Sequence, residues 1–318
     1  MQDSWGRKIN YARISITERC NLSCVYCRPK RVRAQETDSL SLSNLLKLVQ
    51  VLIRLGINRI KLTGGEPTLR KDLLDLVTAI KSLPGLNNVT LTTNGLKLTQ
   101  LAAPLAAAGL DSINISLDSM NREKFRQITR GGDINLVING LSAALATNLP
   151  KIKINCVPTT DTTKTELINL AELARNDRIY IRYIEMMPMG LGKNQPFLNN
   201  NRVKKILSHT LGPLAPLDKT IGNGPASYFS APGFTGALGF ISAMSNCFCG
   251  HCNRLRITAD GHLKTCLHLD TGLPLLPLKD DQALAEAIRQ AIMAKPARHL
   301  FRETSLNQDK RPMYKIGG

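Results

Sequence analysis

The sequence predicts an α/β fold built on parallel strands, and two observations carry that prediction. Runs rich in Ile, Val and Thr recur through the first two thirds of the chain, and none is a hairpin's length from the next. Segments with apolar residues at helical spacing lie between them. Strand and helix therefore alternate six times, the pattern of right-handed parallel crossovers. With 43% apolar residues in 318, the chain can bury a full core, and wholesale disorder is excluded.

The strand runs are 12–16, 59–63, 88–94, 112–118, 151–158 and 179–187. In 41–55, Leu42, Leu45, Leu46, Val49, Leu52 and Ile53 fall on one helix face, and Gly56 can end it. Leu73, Leu74, Val77 and Ile80 repeat that pattern in 70–82, and 97–108, 134–147 and 163–175 carry weaker versions. Six such units fit a partial barrel or an open doubly wound sheet, and periodicity does not choose between them. In either architecture the functional face lies at the carboxyl ends of the strands. Gly and Pro crowd 211–236, which reads as loop and suggests a boundary near 215, dividing the chain into 1–215 and 216–318. A β-rich stretch, a helix near 281–294 and a polar tail follow.

The charge is +18, from 42 Lys+Arg against 24 Asp+Glu, which admits nucleic acid, anionic membrane or a small polyanion as partner. No apolar run reaches the roughly 20 residues of a membrane span, and the first residues lack the apolar core of a secretory signal. Nucleic-acid binding calls for basic residues gathered with aromatics, but aromatics are 4% here and the basic residues are dispersed.

Seven of the eight cysteines form two groups: Cys20, Cys24 and Cys27, then Cys247, Cys249, Cys252 and Cys266; Cys156 stands alone. Clustered cysteines without a secretory signal point to metal before disulfide. Cys20, Cys24 and Cys27 follow the first strand and can converge on one iron–sulfur cluster from a single loop. A structural zinc would need a distant fourth ligand, whereas a three-thiolate cluster keeps one iron open for chemistry. For Cys249, Cys252 and Cys266, the spacing also admits a zinc site completed by His251, His262 or His268.

The first group, with Tyr26 before its last cysteine, and the Gly64-Gly65-Glu66-Pro67 motif at the end of the second strand run resemble the radical S-adenosylmethionine (SAM) enzymes. The string Phe248 to Cys266, including Asn253-Arg254-Leu255-Arg256, and the terminal Gly317-Gly318 resemble more closely the GTP 3′,8-cyclase family of molybdenum cofactor biosynthesis, over nearly the whole chain. The resemblance implies a partial (β/α)6 TIM-like barrel, with a C-terminal extension carrying a second [4Fe–4S] cluster on Cys249, Cys252 and Cys266. It implies SAM bound at the first cluster by Tyr26, Gly65, Ser116 and Met187. It implies GTP bound by Arg13, Lys61, Thr92, Lys153, Arg254 and Arg256, with Gly317 and Gly318 reaching into the pocket. The activity implied is a lyase reaction, in which a deoxyadenosyl radical takes hydrogen from ribose C3′ and the carbon radical attacks C8 of guanine.

Three features depart from the family pattern: Lys61 where Arg is usual, the segment 156–163, and Cys27-Arg-Pro-Lys. Cys247 lies outside the pattern and is read as structural. The expected setting is a cytoplasmic enzyme, with an unidentified electron donor, neither nucleic acid nor membrane as partner, and room for a homodimer. A radical SAM peptide maturase with an auxiliary cluster and a basic nucleic-acid-binding protein with structural zinc are the competing readings.

Overall fold

A computed structural model describes residues 1–30, 40–219, 221–270, 272–277, 280–301 and 311–317. The six units run β1 (Tyr11–Ser15), α1 (Leu42–Arg54), β2 (Arg59–Thr63), α2 (Leu73–Lys81), β3 (Asn88–Thr93), α3 (Leu98–Ala107), β4 (Ser112–Ser116), α4 (Arg122–Thr129), α5 (Ile134–Leu145), β5 (Ile152–Cys156), α6 (Lys164–Glu172), β6 (Ile179–Ile184) and α7 (Asn200–Leu211). Then come β7 (Ala215–Leu217), β8 (Ser227–Ser230), β9 (Ala237–Ile241), β10 (Arg254–Ile257), β11 (His262–Lys264), β12 (Leu273–Pro274), α8 (Asp281–Met293) and α9 (Met313–Ile316).

Local chemistry sets the boundaries. The Ser41 hydroxyl accepts from the Asn44 N–H at the start of α1, and Gly56 ends that turn with φ near 78°. Leu45, Leu48, Val49, Val51 and Leu52 are its buried face. Thr163 and Glu166 cap α6 reciprocally. The sequence pattern did not mark α4 or α7. Phe125 is the one buried large apolar residue of α4, and the stripe of α7 is short, with Val203 and Leu207 buried between polar flanks.

The described strands form one sheet in the order β12-β11-β10-β1-β2-β3-β4-β5-β6-β9-β8-β7. The eight central strands, β10 through β9, are mutually parallel, and the outer ones add antiparallel. Since β9 and β10 do not pair, the barrel stays open, as the partial (β/α)6 reading expects. The C-terminal segment flanks both edges of the six-strand core, with β10 against β1 and β9 against β6. One buried apolar cluster runs continuously from Ile9 to Ile292. No helix among the described residues is long and apolar enough to cross a membrane.

Candidate functional site

Both cysteine triads, Cys20/Cys24/Cys27 and Cys249/Cys252/Cys266, line a single cavity. The first follows the carboxyl end of β1, as expected, whereas Cys252 precedes β10 and Cys266 follows the antiparallel β11, so these two thiols lie toward the amino ends of the parallel strands. Of the other residues singled out in the sequence, Arg13, Tyr26, Gly65, Thr92, Ser116, Met187, Arg254 and Arg256 line it as well. Lys61 and Lys153 sit deeper, buried in β2 and β5, and are not part of its wall. Gly317 lies just behind the wall, and Gly318 is outside the described residues.

The first triad sits on the loop leaving β1. The Cys27 and Arg28 N–H groups both donate to the Cys24 carbonyl at 3.0 Å, a tight turn that brings the thiols round to one side. Val25 N–H donates to Ile128 O, anchoring the loop on α4. The Gly64 and Gly65 pair permits a close approach of the β2 loop to this one. A Cβ on Gly65 would stand 2.3 Å from the Arg19 carbonyl oxygen, and one on Gly64 would stand 2.5 Å from that of Thr17. Gly65 N–H is given to Thr17 O and Glu66 N–H to Arg19 O, so both amides are engaged within the protein. Glu66 accepts from Thr68, from the Thr93 hydroxyl and from Asn94 N–H, which locks the loops after β2 and β3 together.

Burial pushes the Cys24 thiol well up and Cys27 up to about 12, and the neighbouring thiols push the same way. Three thiolates held together in such a place persist only with cationic partners, so the donor set fits an iron–sulfur cluster with three protein ligands. None of the eight cysteines is in a disulfide. The second triad differs electrically. Burial opposes ionisation of Cys252, but Arg254 and Lys295 overcome it and bring the thiol down to about 7. Lys295 is buried and donates to the carbonyls of Arg254 and Thr265, tying the two limbs of this site together. His268 Nδ1 lies 3.0 Å from Cys266 Sγ, whereas His262 pairs with Asp260 and His251 is exposed.

Tertiary pairing assembles the floor of the cavity. Because β10 joins β1 in parallel register, Arg256, Arg13 and Lys61 stand side by side on three adjacent strands. Strand neighbours are about 4.8 Å apart and in-register side chains share a face, so three cations are pressed together. Arg182 on β6 and Lys153 on β5 complete the cluster. Burial, then Arg182, Arg13, Lys153 and Arg254, hold the Lys61 ammonium well below its ordinary range. The guanidinium of Arg182 donates to Asn114 Oδ1 at 2.9 Å, and Asn114 Nδ2 reaches the Thr92 hydroxyl at 3.2 Å. Gly239 makes room for Arg182, since a Cβ there would lie 3.1 Å from its Cγ. The C-terminal tail reaches the same place: Arg256 donates to Gly317 O at 2.7 Å, and Gly317 packs on Ser15 and Thr63 with φ near 78°.

Sequence reasoning missed Arg182, Asp118, Lys295, Glu185 and His299. A lone Arg in the apolar run of β6 was the one available signal, because a fully covered strand seldom carries an unpaired cation. Asp118 buries its carboxylate to accept from Tyr26 Oη at 2.6 Å and Val157 N–H at 2.8 Å. Replacing Asp118 by Ala strands both donors and is expected to cost about 2 kcal/mol in chemical denaturation of the unloaded chain, with Asp118→Asn recovering most of it. Glu185 accepts from the Asn200, Met244 and Ser245 N–H groups and so fixes the loop leading to the second triad.

Lys153 gives the site a pH signature. Burial, then Arg182 and Lys151, push it down to about 7. In the unfolded chain it titrates near 10.4, so between these values the unfolded state holds the extra proton and the fold gains stability as pH rises. Between pH 7.5 and 9.5 the parent is expected to gain about 2 kcal/mol or slightly more relative to Lys153→Met, read from paired denaturation curves.

The profile of the Radical SAM superfamily matches residues 14–174, and that of Molybdenum Cofactor Synthesis C matches 179–301. The chain is 39% identical over 324 residues to a GTP 3′,8-cyclase of Clostridium perfringens (strain SM101 / Type A), covering all of both chains. To one of Moorella thermoacetica it is 42% identical over 327 residues, again with full coverage. It belongs to the GTP 3′,8-cyclase family, within the radical SAM superfamily. Solved structures show the fold: Streptococcus suis SuiB bound to precursor peptide SuiA superposes with a TM-score of 0.61 at 14% identity, over 97% of this chain and 76% of that one. SuiB bound to S-adenosylmethionine gives 0.56 at 16%, over 86% of this chain and 62% of that one, less than two thirds of its length. A cyclase of this family carries two iron–sulfur clusters and uses SAM, and the two three-thiol sets here suit that complement.

Proposed function

We infer that this chain converts GTP to 3′,8-cyclo-7,8-dihydro-GTP, the first step of molybdenum cofactor biosynthesis. The observation that supports this best is one cavity with a three-thiol site at each side and buried cations in register along its floor. Cys20, Cys24 and Cys27 would hold one [4Fe–4S] cluster, and Cys249, Cys252 and Cys266 the other. With cluster and SAM bound, the first site supplies a 5′-deoxyadenosyl radical able to take hydrogen from ribose C3′.

The chain's own groups do the rest of the positioning. Tyr26, Gly65, Ser116 and Met187 face the SAM side, where Asp118 fixes the Tyr26 ring. Arg13, Lys61, Lys153, Arg254 and Arg256, joined by Arg182, offset the charge of a triphosphate, and guanidinium forks suit its oxygens. Thr92 is oriented by Asn114. Gly317, held by Arg256, brings the tail to this floor, and Gly318 is the next residue in the sequence. The enclosing sheet keeps water from the reacting carbon.

Residues 1–215 supply the SAM side in this reading, and 216–318 the second cluster and part of the GTP site. A reducing electron donor, a homodimer and a cytoplasmic location complete it, with neither nucleic acid nor membrane as partner. The test is anaerobic reconstitution, then incubation with SAM, dithionite and each of the four common nucleoside triphosphates. GTP alone is expected to give an isomeric cyclised product together with 5′-deoxyadenosine. Cleavage of SAM with GTP untouched and another triphosphate altered would refute the assignment.

A further inference from the structure

Cys247 and His299 remain outside both triads. Ligand atoms of Cys247, Cys249 and His299 all lie within 4.8 Å of one another. His299 Nε2 is 3.0 Å from Ala243 O, a contact it can make only as donor, so Nδ1 carries the lone pair. That Nδ1 is buried with no hydrogen-bond partner among the described residues. The ring is held in place against Phe301, with centroids 4.7 Å apart, and the His299 backbone N–H reaches the Cys249 thiol. Cys247 is exposed, so the fourth side of the group opens to solvent.

Tetrahedral zinc at 2.3 Å from sulfur and about 2.0 Å from nitrogen sets its ligands roughly 3.5–3.8 Å apart. The three atoms need only close slightly on a single ion. A cubane cluster binds each thiolate through a different iron and so spreads its ligands more widely. We propose that Cys247, Cys249 and His299 form a second metal site, taking a thiophilic divalent cation of the zinc class in the unloaded chain. Because it uses Cys249, that ion and the second cluster exclude each other.

The cation site stands on these atoms alone, whereas the exclusion rests on the cluster assignment above; two measurements separate them. In the first, the full-length unloaded chain is titrated anaerobically with Co²⁺ as the zinc probe. One equivalent should give thiolate charge-transfer and tetrahedral ligand-field bands. Cys247→Ser and His299→Ala should each weaken binding at least about tenfold, while Cys252→Ser and Cys266→Ser leave the bands unchanged. Loss of the bands in Cys252→Ser or Cys266→Ser with Cys247→Ser unaffected would place the ion in the triad and overturn the proposal, as would absence of stoichiometric binding. In the second, zinc loading before reconstitution should cut iron uptake from about eight to about four atoms per chain in the parent but not in Cys247→Ser. Full iron uptake with the zinc retained would overturn the exclusion.

Discussion

Replacing Cys24 by Ala is expected to abolish both SAM cleavage and GTP cyclisation, a loss of more than about a thousandfold in turnover, while iron falls by about four atoms per chain. Cys266→Ala should lose as much iron and as much cyclisation yet still release 5′-deoxyadenosine and methionine from SAM. The two triads line opposite parts of one cavity and share no thiol, so their losses are separable. Members of one functional unit fail together, whereas members of different units fail differently. Iron analysis, product chromatography and quantification of 5′-deoxyadenosine on the two variants provide the check. Identical behaviour of the two would mean that the triads do not hold separate centres. The unloaded Cys24→Ala chain should fold normally, because burial keeps that thiol protonated and uncharged before iron arrives.

Lys61→Met is expected to act in opposite directions on the free and the liganded protein. The free chain should gain about 1 kcal/mol or more, since an apolar side chain of similar length replaces a buried cation that its neighbours repel. Affinity for GTP should fall about 100-fold or more, the cost of removing one charge from a desolvated ionic contact. Thermal denaturation with and without GTP reads both effects: a higher midpoint alone, and a smaller rise on adding nucleotide. A lower midpoint in the free variant would show that Lys61 is stabilised by an anion already in the fold. An Arg at this position would present a fork; Lys keeps the charge at this in-register position but donates from a single point.

Spacing and composition made the six-unit core legible. The run 59–63 coincides with β2, and 41–55 brackets α1 with its Ser41 cap and Gly56 stop. These elements follow from near-neighbour chemistry, in which capping groups and apolar periods lie a few residues apart. The triads were legible for the same reason, each having two thiols on one short loop or turn. Residues whose meaning comes from a distant partner were not legible. Asp118 is an ordinary acid after a strand until the fold brings Tyr26 to it, 92 positions away. Arg182 reads as one polar residue in a strand until Asn114 and Gly239 frame it.

The sequence by itself determined the alternating α/β core, the two thiol triads and the family. Which strand flanks which, and therefore where the charges meet, was decided only by the tertiary structure. Arg256 follows Arg13 by more than two hundred residues, and no local rule relates them; β10 pairing with β1 sets them in one row with Lys61. Backbone ladders fix register to the residue, and register fixes which side chains share a face. The excess of positive charge thus became, in part, a buried row of cations, because hydrogen bonds between distant strands put it there.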